Sequence, residues 1–132
     1  QWEKAARGQS GVIYPWGDQP PDERRCNYGR KDGTTPVGEF SPRGDSPYGC
    51  ADMAGNVWDW CGDWVDETYY ALSPHANPTG PQKGSYRVLR GGSWVDGDDC
   101  YMRAAFRDGD EHNHRGKDVG FRCVINPSKR SQ

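Results

Sequence analysis

Asp52-Met53-Ala54-Gly55-Asn56-Val57-Trp58-Asp59-Trp60 is the stretch on which the reading of this chain turns. It lies inside a dense aromatic and glycine cluster running from Pro47 to Trp64. Trp, Tyr and Phe each bury a large area, so such a cluster can support a loop-rich fold with little regular structure. The wider composition agrees. Only 33% of the 132 residues are hydrophobic, yet there are six tryptophans, seven tyrosines and three phenylalanines, with 18 glycines and 10 prolines. Low aliphatic content alone suggests disorder. Tryptophans spread along the chain at Trp2, Trp16, Trp58, Trp60, Trp64 and Trp94 argue instead for a folded, irregular domain.

Upstream of the cluster, Trp2 to Arg7 is a short helical pattern with Gly8 as its stop. Gly17-Asp18, Pro20-Pro21, Gly29, Gly33 and Pro36 then leave room only for turns and short strands. Downstream, Pro74 to Gly84 reads as a loop. Tyr86-Arg87-Val88-Leu89-Arg90 reads as a strand entering Gly91-Gly92-Ser93-Trp94, and Val119 to Ile125 as a closing strand. Met102 to Arg107 is a strand-like or short helical core between two polar stretches, and residues 126–132 form a frayed tail.

The formal net charge of −2, with signs mixed, gives no nucleic-acid footprint. No apolar run approaches membrane-spanning length, and no signal peptide is evident. The five cysteines, Cys26, Cys50, Cys61, Cys100 and Cys123, include no C-x-x-C pair, which argues against structural zinc. Buried reduced thiols are the favoured reading; one or two disulfides stay open, and so does the compartment.

Several motifs occur in fixed order: Trp2 to Gly8, Tyr14 to Asp18, Cys26-Asn27-Tyr28, Thr34 to Val37, Asp52 to Trp60, Val88 to Trp94, and Gly120 to Cys123. Together they resemble the formylglycine-generating-enzyme (sulfatase-modifying factor) family, over residues 2–125. The resemblance implies an α+β, C-type-lectin-like fold with small twisted antiparallel sheets and few short helices. It also implies that 1–125 is the C-terminal part of such a domain, whose upstream part would be a partner in folding.

Formylglycine-forming members use a cysteine pair shortly after the Gly-Gly-Ser motif, since two close thiolates select a cuprous ion. By that pattern the pair would fall at Asp96 and Tyr101, and neither is cysteine. No copper is therefore expected, and no catalytic residue is assigned. A related branch holds iron with histidines. Here His112 and His114 could share one face of an extended segment, but solvated loop histidines are the commoner case and no third ligand is evident. Gly91-Gly92-Ser93-Trp94 is not a nucleophile elbow; close backbone approach at the glycines and a buried polar partner for Ser93 are the simpler reading.

The resemblance also implies structural calcium. One ligand set is Asp52 and Asp59 through carboxylates with the carbonyls of Gly55 and Val57; the other is Asn27 and Asp32 with the carbonyls of Tyr28 and Thr34. Ordinary turn chemistry is the alternative for both.

The remaining segment, Val95 to Asp118, mixes Asp, Gly, His, Tyr, Phe, Cys, Arg and Asn without a period. It is expected to form an exposed, adaptable face on a rigid scaffold. The ligand-binding candidates are Trp94, Val95, Asp96, Asp98, Asp99, Tyr101, Phe106, Asp108, Asp110, His112, His114 and Asp118. Related domains serve as variable proteins of diversity-generating retroelements, where mutated adenines in Asn codons yield residues of these types but never Trp, Met, Lys, Glu or Gln. Val95 to Tyr101, Phe106, Asp108, Gly109, Asp110, His112, His114, Gly116 and Asp118 all fall in the permitted set. The expected function is non-catalytic binding of a protein or glycan. The alternatives are a family oxidoreductase with a divergent or incomplete metal site, and a structural component of a surface assembly.

Overall fold

A computed structural model describes residues 1–30 and 32–125; the tail at 126–132 lies outside the described residues. The first helix, α1 (Trp2–Arg7), ends at Gly8, whose positive φ of 64° turns the chain while its amide donates to the Lys4 carbonyl. Strands β1 (Trp58–Trp64), β2 (Tyr86–Arg90), β3 (Asp108–Glu111) and β4 (Val119–Gly120) form one mixed sheet in the order β3-β2-β1-β4. β2 is antiparallel to β1 and β3, whereas β4 runs parallel to β1. A register shift between Trp60 and Trp64 bends β1. A second helix, α2 (Tyr69–Leu72), and one 3-10 turn (Asp99–Met102) complete the regular structure among the described residues. Among the described residues, no helix is long and apolar enough to cross a membrane.

Two expectations are corrected. The closing strand shrinks from Val119–Ile125 to Val119–Gly120, because only Val119 and Gly120 find partners, at Trp58 and Asp59. The polar run Asp108–Glu111 is a strand despite its poor β propensity. Its backbone completes the ladder offered by Tyr86 to Leu89.

The core is small and held by aromatics. Ala6, Met53 and Ala104 pack with Trp2, Ala5 and Cys50; Tyr14, Cys26, Ala54 and Met102 pack with Trp16, Tyr28 and Tyr101. No disulfide joins the five cysteines, and burial pushes the Cys26 thiol up to about 12. That matches a thiol used as a small core hydrophobe.

Charged side chains tie distant segments across this core. The Asp59 carboxylate, 4% exposed, accepts from the Trp2 indole at 2.8 Å and the Arg122 guanidinium at 2.6 Å. Arg122 also donates to the carbonyls of Ala51 and Asp52. Arg90 donates to the carbonyls of Ala104, Ala105 and Phe106 and pairs with Glu3 at 3.0 Å. Gly55 lets the central loop close. Its φ is 75°, and a Cβ there would lie 2.5 Å from the Asn27 carbonyl oxygen. The Gly55 amide is thereby free to donate to Gly91, and the Asn56 amide to Asn27.

Candidate functional site

The loop after β2 is seated on the central motif. The Trp94 amide donates to the Asn56 carbonyl, its own carbonyl accepts from Arg30, and its indole reaches the Lys117 carbonyl at 3.4 Å. Ser93 is fully buried and donates from its amide (2.8 Å) and its hydroxyl (2.7 Å) to one carboxylate oxygen of Asp96. Asp96 therefore closes the turn as well as facing outward. Asp98 accepts from the Cys100 amide at 2.9 Å and starts the 3-10 turn; that bond holds its carboxyl below the usual range. Asp99 lies beside Tyr14 and Tyr28, whose phenols are raised by burial first and by its charge second.

Tyr101 and Phe106 form one aromatic group with Trp58. Their rings meet edge to face at 5.1 Å and lie 6.0 and 6.1 Å from the indole. Such pairs contribute beyond the area they bury, so these two residues brace the loop. On β3, Asp108 and Asp110 stand on alternate positions. The Asp110 carboxylate lies 3.5 Å from His114 Nδ1, while His112 sets its ring against Trp64, 6.1 Å away. The two histidines thus have separate neighbours. Asp118 marks the far edge, where its carbonyl accepts from the Trp58 amide.

The candidate face divides into a carboxylate loop, an aromatic brace and the edge strand β3 with the turn that follows it. None of its twelve candidates is buried, and Val95 is 54% exposed, whereas the interleaved Met102 and Ala104 are completely buried. The positions where a family cysteine pair would stand carry other work: Asp96 takes the Ser93 donors, and Tyr101 packs on Trp58.

The two calcium ligand sets differ. In the first, the Asp52 carboxylate accepts from the Gly38 amide, and Asp59 already holds an indole and a guanidinium. A positive guanidinium at 2.6 Å opposes a cation there, so this set does not fit calcium as arranged. In the second, Asn27 is fully buried and its Nδ2 donates to the Gly33 carbonyl, but its Oδ1 has no partner among the described residues. A buried, unpartnered carboxamide oxygen is the kind of group that a hard cation satisfies. Among the described residues, no group of three or more His, Cys, Asp or Glu side chains is gathered for a metal.

Sequence reasoning passed over Trp60, Trp64 and Arg87. They line a cleft of about 680 Å³ together with Cys61, Gly62 and His112. Two tryptophans four positions apart on one strand were the available signal.

Comparison with known proteins places this geometry. The model of the sulfatase-modifying factor enzyme 1-like domain, FGE-sulfatase, matches residues 1–127. A formylglycine-generating enzyme from Streptomyces coelicolor is 43% identical over 141 residues, covering 94% of this chain and 44% of its own length. Variable protein 1 of Treponema denticola superposes with a TM-score of 0.69 at 32% identity, covering 91% of this chain and 43% of that one. PvdO from Pseudomonas aeruginosa superposes with a TM-score of 0.74 at 25% identity, covering 91% and 48%. The chain spans less than half the length of each of these three relatives. With its ordered motifs, its loop-rich α+β fold and a family model aligned along nearly its whole length, this chain belongs to the formylglycine-generating-enzyme, or sulfatase-modifying factor, family.

Proposed function

We propose that this domain is a non-catalytic ligand-binding member of its family, which presents residues 94–118 to a protein or glycan. The observation that carries the reading is the use made of positions 96 and 101. Asp96 is bonded to Ser93 and Tyr101 is braced on Trp58, so the loop that would hold a copper pair is instead organised around its own turn. A scaffold fixed by Met102, Ala104 and Arg90 beneath exposed polar side chains loses little freedom on binding. The likeness to a variable protein supports diversification of this face.

The test is a display screen of protein and glycan ligands with the purified chain, repeated with Val95, Asp98 and His114 replaced by alanine. A partner that is captured by the parent and lost by the triple variant is expected. Copper or iron bound in stoichiometric amount would overturn the reading in favour of a family oxidoreductase with a divergent metal site.

Calcium belongs to the same proposal at the second ligand set only. Asn27 and Asp32 side chains with the Tyr28 and Thr34 carbonyls would hold it, and the ion would clip this loop to the domain by adding its binding free energy to folding. At a hundredfold excess over Kd, calcium then raises stability by about 2.7 kcal/mol. Asn27→Ala removes that increment, as calcium-dependent thermal melts would read.

A further inference from the structure

We propose that the cleft on β1 and β2 is a second binding site, which takes a saccharide ring carrying a carboxylate. It goes beyond the 94–118 face and shares only His112 with it.

Trp64 and Arg87 are register partners on adjacent antiparallel strands, so their side chains rise from the same face of the sheet. The Arg87 guanidinium carbon lies 3.6 Å from the centre of the Trp64 ring, and its NH1 donates to the Gly62 carbonyl. Stacking and that bond fix the orientation of the cation before any ligand arrives. The nearby acids do not neutralise it. Asp110, its partner on β3, turns to His114, and Arg87 forms no ion pair among the described residues. The result is an oriented guanidinium, without an ion pair among the described residues, on the wall of an open cleft of about 680 Å³.

The rest of the lining selects the class of ligand. Trp60 supplies aromatic surface, on which the C–H face of a pyranose ring packs, while the Trp64 face under Arg87 serves to hold the cation. Arg87 offers a planar donor pair to a carboxylate, and the His112 side chain stands at the rim as a second polar group. Gly62 leaves the wall open, because a Cβ there would meet nothing within 4 Å and its φ is outside the left-handed region. An extended acidic peptide would make poor use of an indole beside a single cation.

The test measures tryptophan fluorescence and titration calorimetry on the purified chain with a galacturonate trimer, maltotriose and hexaglutamate. Binding of the galacturonate trimer alone, at millimolar concentration or better, is expected. Arg87→Lys, which loses the planar donor pair, lowers that affinity about tenfold. Gly62→Leu fills the cleft and abolishes binding while keeping the circular dichroism spectrum of the parent. Equal binding of maltotriose, preference for hexaglutamate, no binding of the galacturonate trimer, or unchanged affinity in Arg87→Lys would each overturn the proposal. Because none of these residues except His112 belongs to the 94–118 face, a ligand lost by the triple alanine variant but indifferent to Gly62→Leu separates the two sites.

Discussion

At Asp59 a carboxylate that is almost fully buried joins residues 57 and 63 positions away, whereas Asp96, Asp98 and Asp110 of the 94–118 face bond no further than four positions along the chain. The first arrangement closes the fold; the second only shapes a loop. Removing one partner of a buried pair leaves a desolvated charge behind, while an exposed charge is rescued by water. The two regions should therefore answer mutation very differently, even though both are rich in Asp.

The largest effect is expected from Asp59→Ala. It strands the Arg122 guanidinium and the Trp2 indole N–H, and urea unfolding should show a loss of about 3 kcal/mol. Gly55→Ala comes next, at about 2 kcal/mol in the same measurement, because its Cβ would press on the Asn27 carbonyl from a left-handed backbone. A loss as small as that of an ordinary surface residue would show that the central loop can yield. Ser93→Ala sharpens the comparison, since it lies between the regions. Losing the buried hydroxyl's bond to Asp96 should cost about 1 kcal/mol and weaken ligand capture by the adjoining face. Val95→Ala should change stability in urea unfolding hardly at all, within about 0.5 kcal/mol, yet alter partner capture.

Acid reaches the face in the gentlest way. The Cys100 amide lowers the folded-state pKa of Asp98, so its bond helps the turn above the ordinary carboxylate pKa and is lost as pH falls through the depressed value. An NMR titration should show the Cys100 amide shifting there; an amide that does not move would show that the Asp98 carboxylate does not hold the turn.

Much of the fold was legible from local pattern. Helix α1 and its Gly8 stop, strand β2 and the loop-rich class follow from residue types whose backbone preferences act over a few positions. Strand β3 was not legible, because Asp-Gly-Asp-Glu carries no strand signal and pairs only when β2 is beside it. The candidate face was readable as an exposed segment, but not its division into loop, brace and edge strand. Tyr101 and Phe106 resemble free contact residues until Trp58 is placed beside them.

What the sequence by itself determined is covalent and local: no cysteine stands at 96 or 101, and the glycines and aromatics dictate short elements on an aromatic core. Only the tertiary structure decided that Asp59 faces Trp2 and Arg122, that Asn27 Oδ1 has no partner among the described residues, and that Arg87 lies over Trp64 with no ion pair among them. The physical reason is that a charge or amide finds its partner through space. When the groups that meet are dozens of residues apart, no spacing along the chain records which of them will meet.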